Sequence, residues 1–305
     1  MSIQAPSAVV LIRPHRFAPN AQTAADNAFQ TVSAAPPDVV ARRAFDEVSL
    51  LAETLSSHGV RVHLFDDEGG AHPDSVFPNN WVSTHAGGHV AIYPMYAPSR
   101  RGERRADVIE MLKTTYRVQD VIDYSGLELD DVFLEGTGAM VLDHEARIAY
   151  VARSRRADPV ALERFCTHFG YEPLAFDALD EAGMPIYHTN VMMCVGTEYA
   201  LVGLDRIVDP RRRAQVVERL SARREVISLS SEQLGEFAGN AIELRGRDGR
   251  ILAMSERARA SLTPTQVAAI ERTARIVAVP VPTVELAGGS VRCMIAGVHL
   301  DPRPV

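Results

Sequence analysis

Cysteine is scarce in this chain: Cys166, Cys194 and Cys293 are the only three in 305 residues. Thiols so few and so far apart build no disulfide framework, and no Cys-x-x-Cys pair offers a zinc knuckle, so a reducing compartment is expected. Long apolar runs are missing as well; none reaches the roughly 18 residues that span a bilayer. The opening residues, Met1-Ser2-Ile3-Gln4-Ala5-Pro6-Ser7, have neither the basic start nor the apolar core of a secretory signal. A cytoplasmic protein with no membrane partner is the expectation. Basic runs are short, and the formal net charge is -7, which argues against an extended nucleic-acid footprint. The arginines of Arg100-Arg101-Gly102-Glu103-Arg104-Arg105 and Arg211-Arg212-Arg213 are expected to be solvated helix starts.

What the chain does have is apolar content, 46% of its residues, enough for a full globular core near the size at which one domain becomes two. The apolar residues recur in a pattern: short strand, polar turn, second strand, charged helix, third strand. Four copies begin near Trp81, Ala139, Val191 and Ala241, at intervals of about fifty residues. Their helices run from Glu103 to Thr115, near Asp158 to Phe169, near Asp209 to Ala222 and from Thr263 to Thr273. The fourth copy carries the hairpin sequence Asp248-Gly249. A fifth copy is split between the chain ends: Val291 to Met294 and Gly297 to Leu300 are expected to pair with Ala8 to Ile12, followed by a helix near Asp38 to Ser57 and the strand Arg61 to Phe65. Five strand-strand-helix-strand units joined through the two termini predict a five-bladed, pseudosymmetric α/β propeller and a single domain over residues 1–305. Closure into a ring leaves few sheet edges exposed. An ordinary mixed α/β sheet is the alternative.

Aligning the copies places Asn79 and Asn80, Glu135, His188 with Asn190, Asn240, and Cys293 at one equivalent point, at or just before the first strand of each hairpin. In a ring these points converge on the axis, so residues more than fifty positions apart share one site. That convergence turns Cys293 from a small buried hydrophobe into a candidate nucleophile and His188 into its candidate partner. A thiolate can attack an electrophilic carbon, a histidine can carry a proton to a leaving nitrogen and activate water, and a carboxylate such as Glu135 can orient the histidine.

The same residues carry a resemblance to a known family. Leu134-Glu135-Gly136-Thr137, His188-Thr189-Asn190 and Gly288-Gly289-Ser290-Val291-Arg292-Cys293, in that order and at repeat spacing, resemble the motifs of the pentein, or guanidino-group-modifying, superfamily. Phe77-Pro78-Asn79-Asn80 stands where many members have Phe-x-Glu-Asp. The segment from Asn20 to Gln30 is similar to that of the citrulline utilization hydrolases. The resemblance spans essentially the whole chain and implies the pentein fold, a covalent cysteine mechanism, a small-molecule amino-acid substrate and no cofactor. Family members that act on a guanidinium hold it with carboxylates. Here Asn80 and Asn190 offer both donors and acceptors, which suits a neutral ureido group. The expectation is therefore hydrolysis of citrulline to ornithine, carbon dioxide and ammonia. Arginine dihydrolysis or deimination, amidino transfer, and a silent binding protein of the same fold are the alternatives.

Other residues have plainer readings. His72, His85 and His89 lack the acidic or thiol ligands that would complete a metal site, so no metal is expected. Gly136-Thr137-Gly138 reads as a glycine turn leading into a strand, without the helix of a phosphate cradle. Asp130 and Asp131 read as a solvated strand start, with contact of one of them to a substrate amino group as the alternative. Asp26 and Asn27 form a polar pair within an irregular segment and are candidate substrate contacts, together with Asn79, Asn80 and Asn190. Arg13, Arg100, Arg153 and Arg292 are candidates for the substrate carboxylate. Oligomeric state is left open, including a homo-oligomer.

Overall fold

The computed structural model describes residues 3–25 and 27–304. Local sequence sets the helices. Four of the long ones, Pro37–Ser57, Pro159–Phe169, Pro210–Ser221 and Pro264–Glu271, begin with proline in the first turn, where its missing N–H goes unneeded. Asp158, Asp209 and Thr263 cap three of them by accepting a backbone N–H. The longest buries Val40, Ala44, Val48, Leu51 and Leu55, an i, i+4 stripe that faces the sheet.

Among the described residues fifteen strands form five three-stranded sheets, each with the same internal order. The inner strands are Val82–His85, Met140–Asp143, Met193–Val195, Ile242–Gly246 and Ala296–Val298. Each pairs antiparallel with a middle strand, which pairs in parallel with an outer strand across the helix. The fifth sheet joins the chain ends, Ala8 standing opposite Val298 on one side and Arg61 on the other. Middle strands such as Ile148–Ala152 and Tyr199–Val202 are buried at every position, because a helix covers one face and neighbouring sheets the other. Inner strands lie against one another: Ala296–Val298 on Val82–His85, and Met193–Val195 on both Met140–Asp143 and Ile242–Gly246. Residues of all five inner strands line one central cavity of about 50 Å3, so the strands surround an axis. Among the described residues no helix is long and apolar enough to cross a membrane.

Three local expectations are corrected. Val291 to Met294 is a turn and not a strand, because Cys293 N–H and Met294 N–H both bond back to the carbonyl of Ser290, leaving them unavailable to a ladder. Asp130 ends the 3-10 turn Ser125–Asp130, and Asp131 follows it with φ 54°, so neither starts a strand. Gly136-Thr137-Gly138 is part of a one-turn helix, Gly136–Ala139, placed before the inner strand. Similar single turns, Pro78–Asn80 and Thr189–Val191, precede two other inner strands. Trp81, Ala139 and Val191 therefore belong to these turns or follow them directly, and not to the strands.

Candidate active site

The short turns ahead of the inner strands deliver side chains to a second, smaller cavity. About 20 Å3 in volume, it is lined by Cys293, His188, Asn80, Arg100, Asp74 and Arg156, with Thr23, Asn27, Phe77, Tyr187, Ala287 and Gly289 completing the wall. Such a volume holds about one water.

Glu135, at the start of the one-turn helix, lies 2.8 Å from His188 Nε2 and accepts the backbone N–H of Tyr96 at 3.0 Å. Burial alone would raise its carboxyl, but Arg156, His188 and Arg100 together hold it well below the usual carboxylate range. An ionised carboxylate requires a donor, so Nε2 of His188 carries the proton and Nδ1 is left with a lone pair. Burial, aided by the charges of Arg156 and Arg100, lowers the imidazole to about 4 against the opposing pull of Glu135. His188 is thus a neutral, oriented base.

Cys293 is buried in the turn after Gly288-Gly289. Gly288 has φ 80°, and a Cβ there would stand 2.4 Å from the side chain of Asn27, so this approach to the cysteine needs glycine. Two amide groups reach the sulfur: Asn190 Nδ2 at 3.3 Å and Asn240 Nδ2 at 3.2 Å. Asn240 also accepts the N–H groups of Ser290 and Cys293, at 3.2 and 3.4 Å, which fixes which end of its amide faces the sulfur. Donors aimed at sulfur suit its anionic form.

On the opposite wall Arg100 Nη1 donates to Asn80 Oδ1 at 2.9 Å, while its Nε and Nη2 fork onto Glu103 at 2.9 Å each. Asp74 lies 3.6 Å from Arg100 and accepts from Asn20 through Oδ2. Among the described residues, the buried atoms Asn80 Nδ2, Asp74 Oδ1 and Asn190 Oδ1, in or beside the cavity, have no hydrogen-bond partner. Unsatisfied groups this deeply buried mark where a ligand's polar atoms would go.

The sequence of this chain matches the profile of the family described as N,N dimethylarginine dimethylhydrolase, eukaryotic, over residues 13–300. The chain belongs to that family. It is thereby a member of the pentein superfamily, and its five small sheets are the pentein fold. The solved structures agree on the fold. ArgZ, an arginine dihydrolase from the ornithine-ammonia cycle in cyanobacteria, superposes with a TM-score of 0.75 at 18% identity, covering 97% of this chain and 41% of ArgZ. Unliganded AgrE gives a TM-score of 0.75 at 18% identity, covering 97% of this chain and 40% of AgrE. A dimethylarginine dimethylaminohydrolase variant carrying an S-methyl-L-thiocitrulline adduct gives 0.63 at 16% identity, with 97% of this chain and 100% of that one covered. The chain thus spans about two fifths of full-length ArgZ and AgrE. No curated protein matches it.

Within this member of the dimethylarginine dimethylhydrolase family, the structure brings together most of the residues expected from sequence. Cys293, His188, Asn80 and Asn27 line the cavity, and Glu135 and Asn190 touch their side chains. Asn79 is buried beside them with both side-chain polar atoms unpartnered, outside the cavity wall. Asp26 lies outside the described residues. Of the four candidate arginines only Arg100 reaches the site: Arg13 pairs with Asp66, Arg153 with Asp177, and Arg292 lines the larger cavity. Arg100 is 2% exposed, contrary to the expected solvated helix start, because Glu103, Asp74 and Glu135 surround it with negative charge. Asp74, Arg156 and Tyr187 were not foreseen. Asp74 and Arg156 lie away from the repeat's equivalent point, and only the adjacency of Tyr187 to His188 could have signalled it. The three histidines considered as metal ligands have separate partners: His72 the carbonyl of Ser99, His85 the hydroxyl of Ser83, and His89 the carboxylate of Asp120.

Proposed function

We propose that this chain is a cysteine-dependent hydrolase of the ureido C–N bonds of citrulline. The observation that carries the reading is the donor and acceptor set of the small cavity. Asn80 presents an unpartnered N–H2 and Asp74 an unpartnered oxygen. A ureido group has one oxygen that needs a donor and N–H groups that need acceptors, so it satisfies both. A guanidinium is donors throughout and would leave the amide of Asn80 facing another donor.

In this reading His188 Nδ1 takes the thiol proton and the sulfur of Cys293 adds to the ureido carbon. The C–NH2 bond breaks, and ammonia leaves with the proton from His188. Water, deprotonated by the same nitrogen, then attacks the thioester-like carbon and the C–S bond breaks. The released ornithine carbamate loses carbon dioxide to give ornithine. Glu135 keeps the proton on Nε2, so that Nδ1 serves each step. Asn190 and Asn240 hold the sulfur while it carries charge.

A second reading, arginine dihydrolysis, has its own support in the free carboxylate oxygen of Asp74, which would accept from a guanidinium. Separate incubation of the purified chain with citrulline and with arginine, assayed for ammonia and ornithine, decides between them. Ornithine from citrulline with little from arginine is expected; no product from either overturns both readings.

A further inference from the structure

Asn80 is anchored at one end only. Its Oδ1 accepts from Arg100 Nη1 at 2.9 Å, and its Nδ2 is buried with no partner. A side-chain amide can present either end, and the neighbour decides which. Turned over, Asn80 would set its NH2 against a guanidinium, donor against donor. Arg100 cannot turn away to accommodate that. Its Nε and Nη2 form a bidentate fork on Glu103, and its Nη1 lies 3.6 Å from Glu135. Orientation therefore passes from Glu103 through Arg100 to Asn80. The unpartnered end lies on the same side of Asn80 as the base. The point where a Cβ of Gly138 would stand is 2.2 Å from Asn80 Nδ2 and 2.8 Å from His188 Nδ1, so the donor and the base flank the same spot.

We propose that Arg100 is the positioning residue that sets the charge selectivity of the site: by holding Oδ1 of Asn80 it commits Nδ2 to the cavity, so that a carbonyl oxygen on the reacting carbon is accepted and a guanidinium nitrogen is not. The inference rests on the ureido reading above. The donor also faces the oxygen on which negative charge gathers as the sulfur adds, so its orientation bears on the transition state as well as on binding.

The test is the ratio of kcat/KM for citrulline to that for arginine in wild type, Arg100→Met and Arg100→Lys. Methionine keeps the bulk and removes the donor, freeing the amide to turn; the ratio falls at least about tenfold. Lysine keeps a charged N–H for Oδ1 but not the fork on Glu103 that fixes it, so the ratio falls in Arg100→Lys too, by less than in Arg100→Met. A merely structural role, or a direct grip on the substrate's carboxylate, would lower both values alike and leave the ratio unchanged in Arg100→Met, which overturns the proposal. If circular dichroism shows that Arg100→Met does not fold, Asn80→Asp replaces it. Aspartate paired to Arg100 through one oxygen places the other where Nδ2 stands, and the ratio again falls at least about tenfold; an unchanged ratio overturns the proposal. Wild type that releases nothing from citrulline overturns the ureido reading itself, and this inference with it.

Discussion

Two cavities lie along the centre of the molecule, and they share residue types. Cys293, His188, Arg100 and Arg156 line the smaller, with Glu135 behind them; Cys194, His144, His299, Glu243 and Arg292 line the larger. The difference lies in the partners. His188 is held by a carboxylate at 2.8 Å, whereas His144 meets Tyr171 and stacks on His299 with ring centroids 3.9 Å apart. Burial and the nearby charges of His299, His85 and Arg147 push His144 well below its ordinary value. Cys293 faces two amide donors, whereas burial and the carboxylate of Glu243 push the Cys194 thiol up to about 12. A cysteine and a histidine near the axis are thus not enough. A carboxylate on the ring nitrogen and N–H groups on the sulfur distinguish the pair proposed to react from a packed one.

The sharpest way to break this comparison is to remove each sulfur in turn. Cys293→Ala is expected to lower kcat at least about a hundredfold, and Cys194→Ala to leave it within about threefold. Iodoacetamide followed by peptide mass spectrometry should label Cys293 ahead of Cys194 and Cys166, whose thiols burial raises to about 12. Equal loss from both alanine variants would erase the distinction. The histidines make a parallel pair: His188→Ala also costs at least about a hundredfold in kcat, while His144→Gln costs little activity.

A smaller effect, roughly ten- to a hundredfold in kcat, is expected for Gly138→Ala. Its methyl would stand 2.2 Å from Asn80 Nδ2 and 2.8 Å from His188 Nδ1, and neither can retreat without breaking its bond to Arg100 or Glu135. An unimpaired, folded Gly138→Ala enzyme would show that the chemistry lies elsewhere. The smallest effect is on stability. An imidazole lowered from 6.5 to about 4, as in His188, binds its proton first in the unfolded chain. The stability this confers is present above pH 6.5 and is lost as the pH falls toward 4, by about 1.4 kcal/mol per pH unit for each such histidine. His85 and His144 are lowered in the same direction. Thermal melts taken stepwise below about pH 6.5 should therefore fall, and His144→Gln should flatten the slope by one histidine's share; an identical slope would mean that His144 titrates in the folded protein as it does in the unfolded chain.

Much of the molecule was legible from one dimension. Proline after Asp158, Asp209 and Thr263, and apolar strands spaced by about fifty residues, mark the repeat, since caps and periodicity act within a few residues of the chain. The repeat in turn aligns Glu135, His188 and Cys293, because equivalent points of a pseudosymmetric ring meet wherever the ring closes. Three-dimensional packing alone decided the rest. Arg100 looks in sequence like its neighbour Arg101, and only the carboxylates of Asp74 and Glu135, drawn in from two other segments to join Glu103 three residues along, make its burial favourable. Asp74 and Arg156 sit off the repeat, so no alignment of copies could find them. Which end of Asn80 faces the cavity depends on a guanidinium twenty residues away. A side chain's identity is written in the sequence; its protonation, its orientation and its partner are set through space.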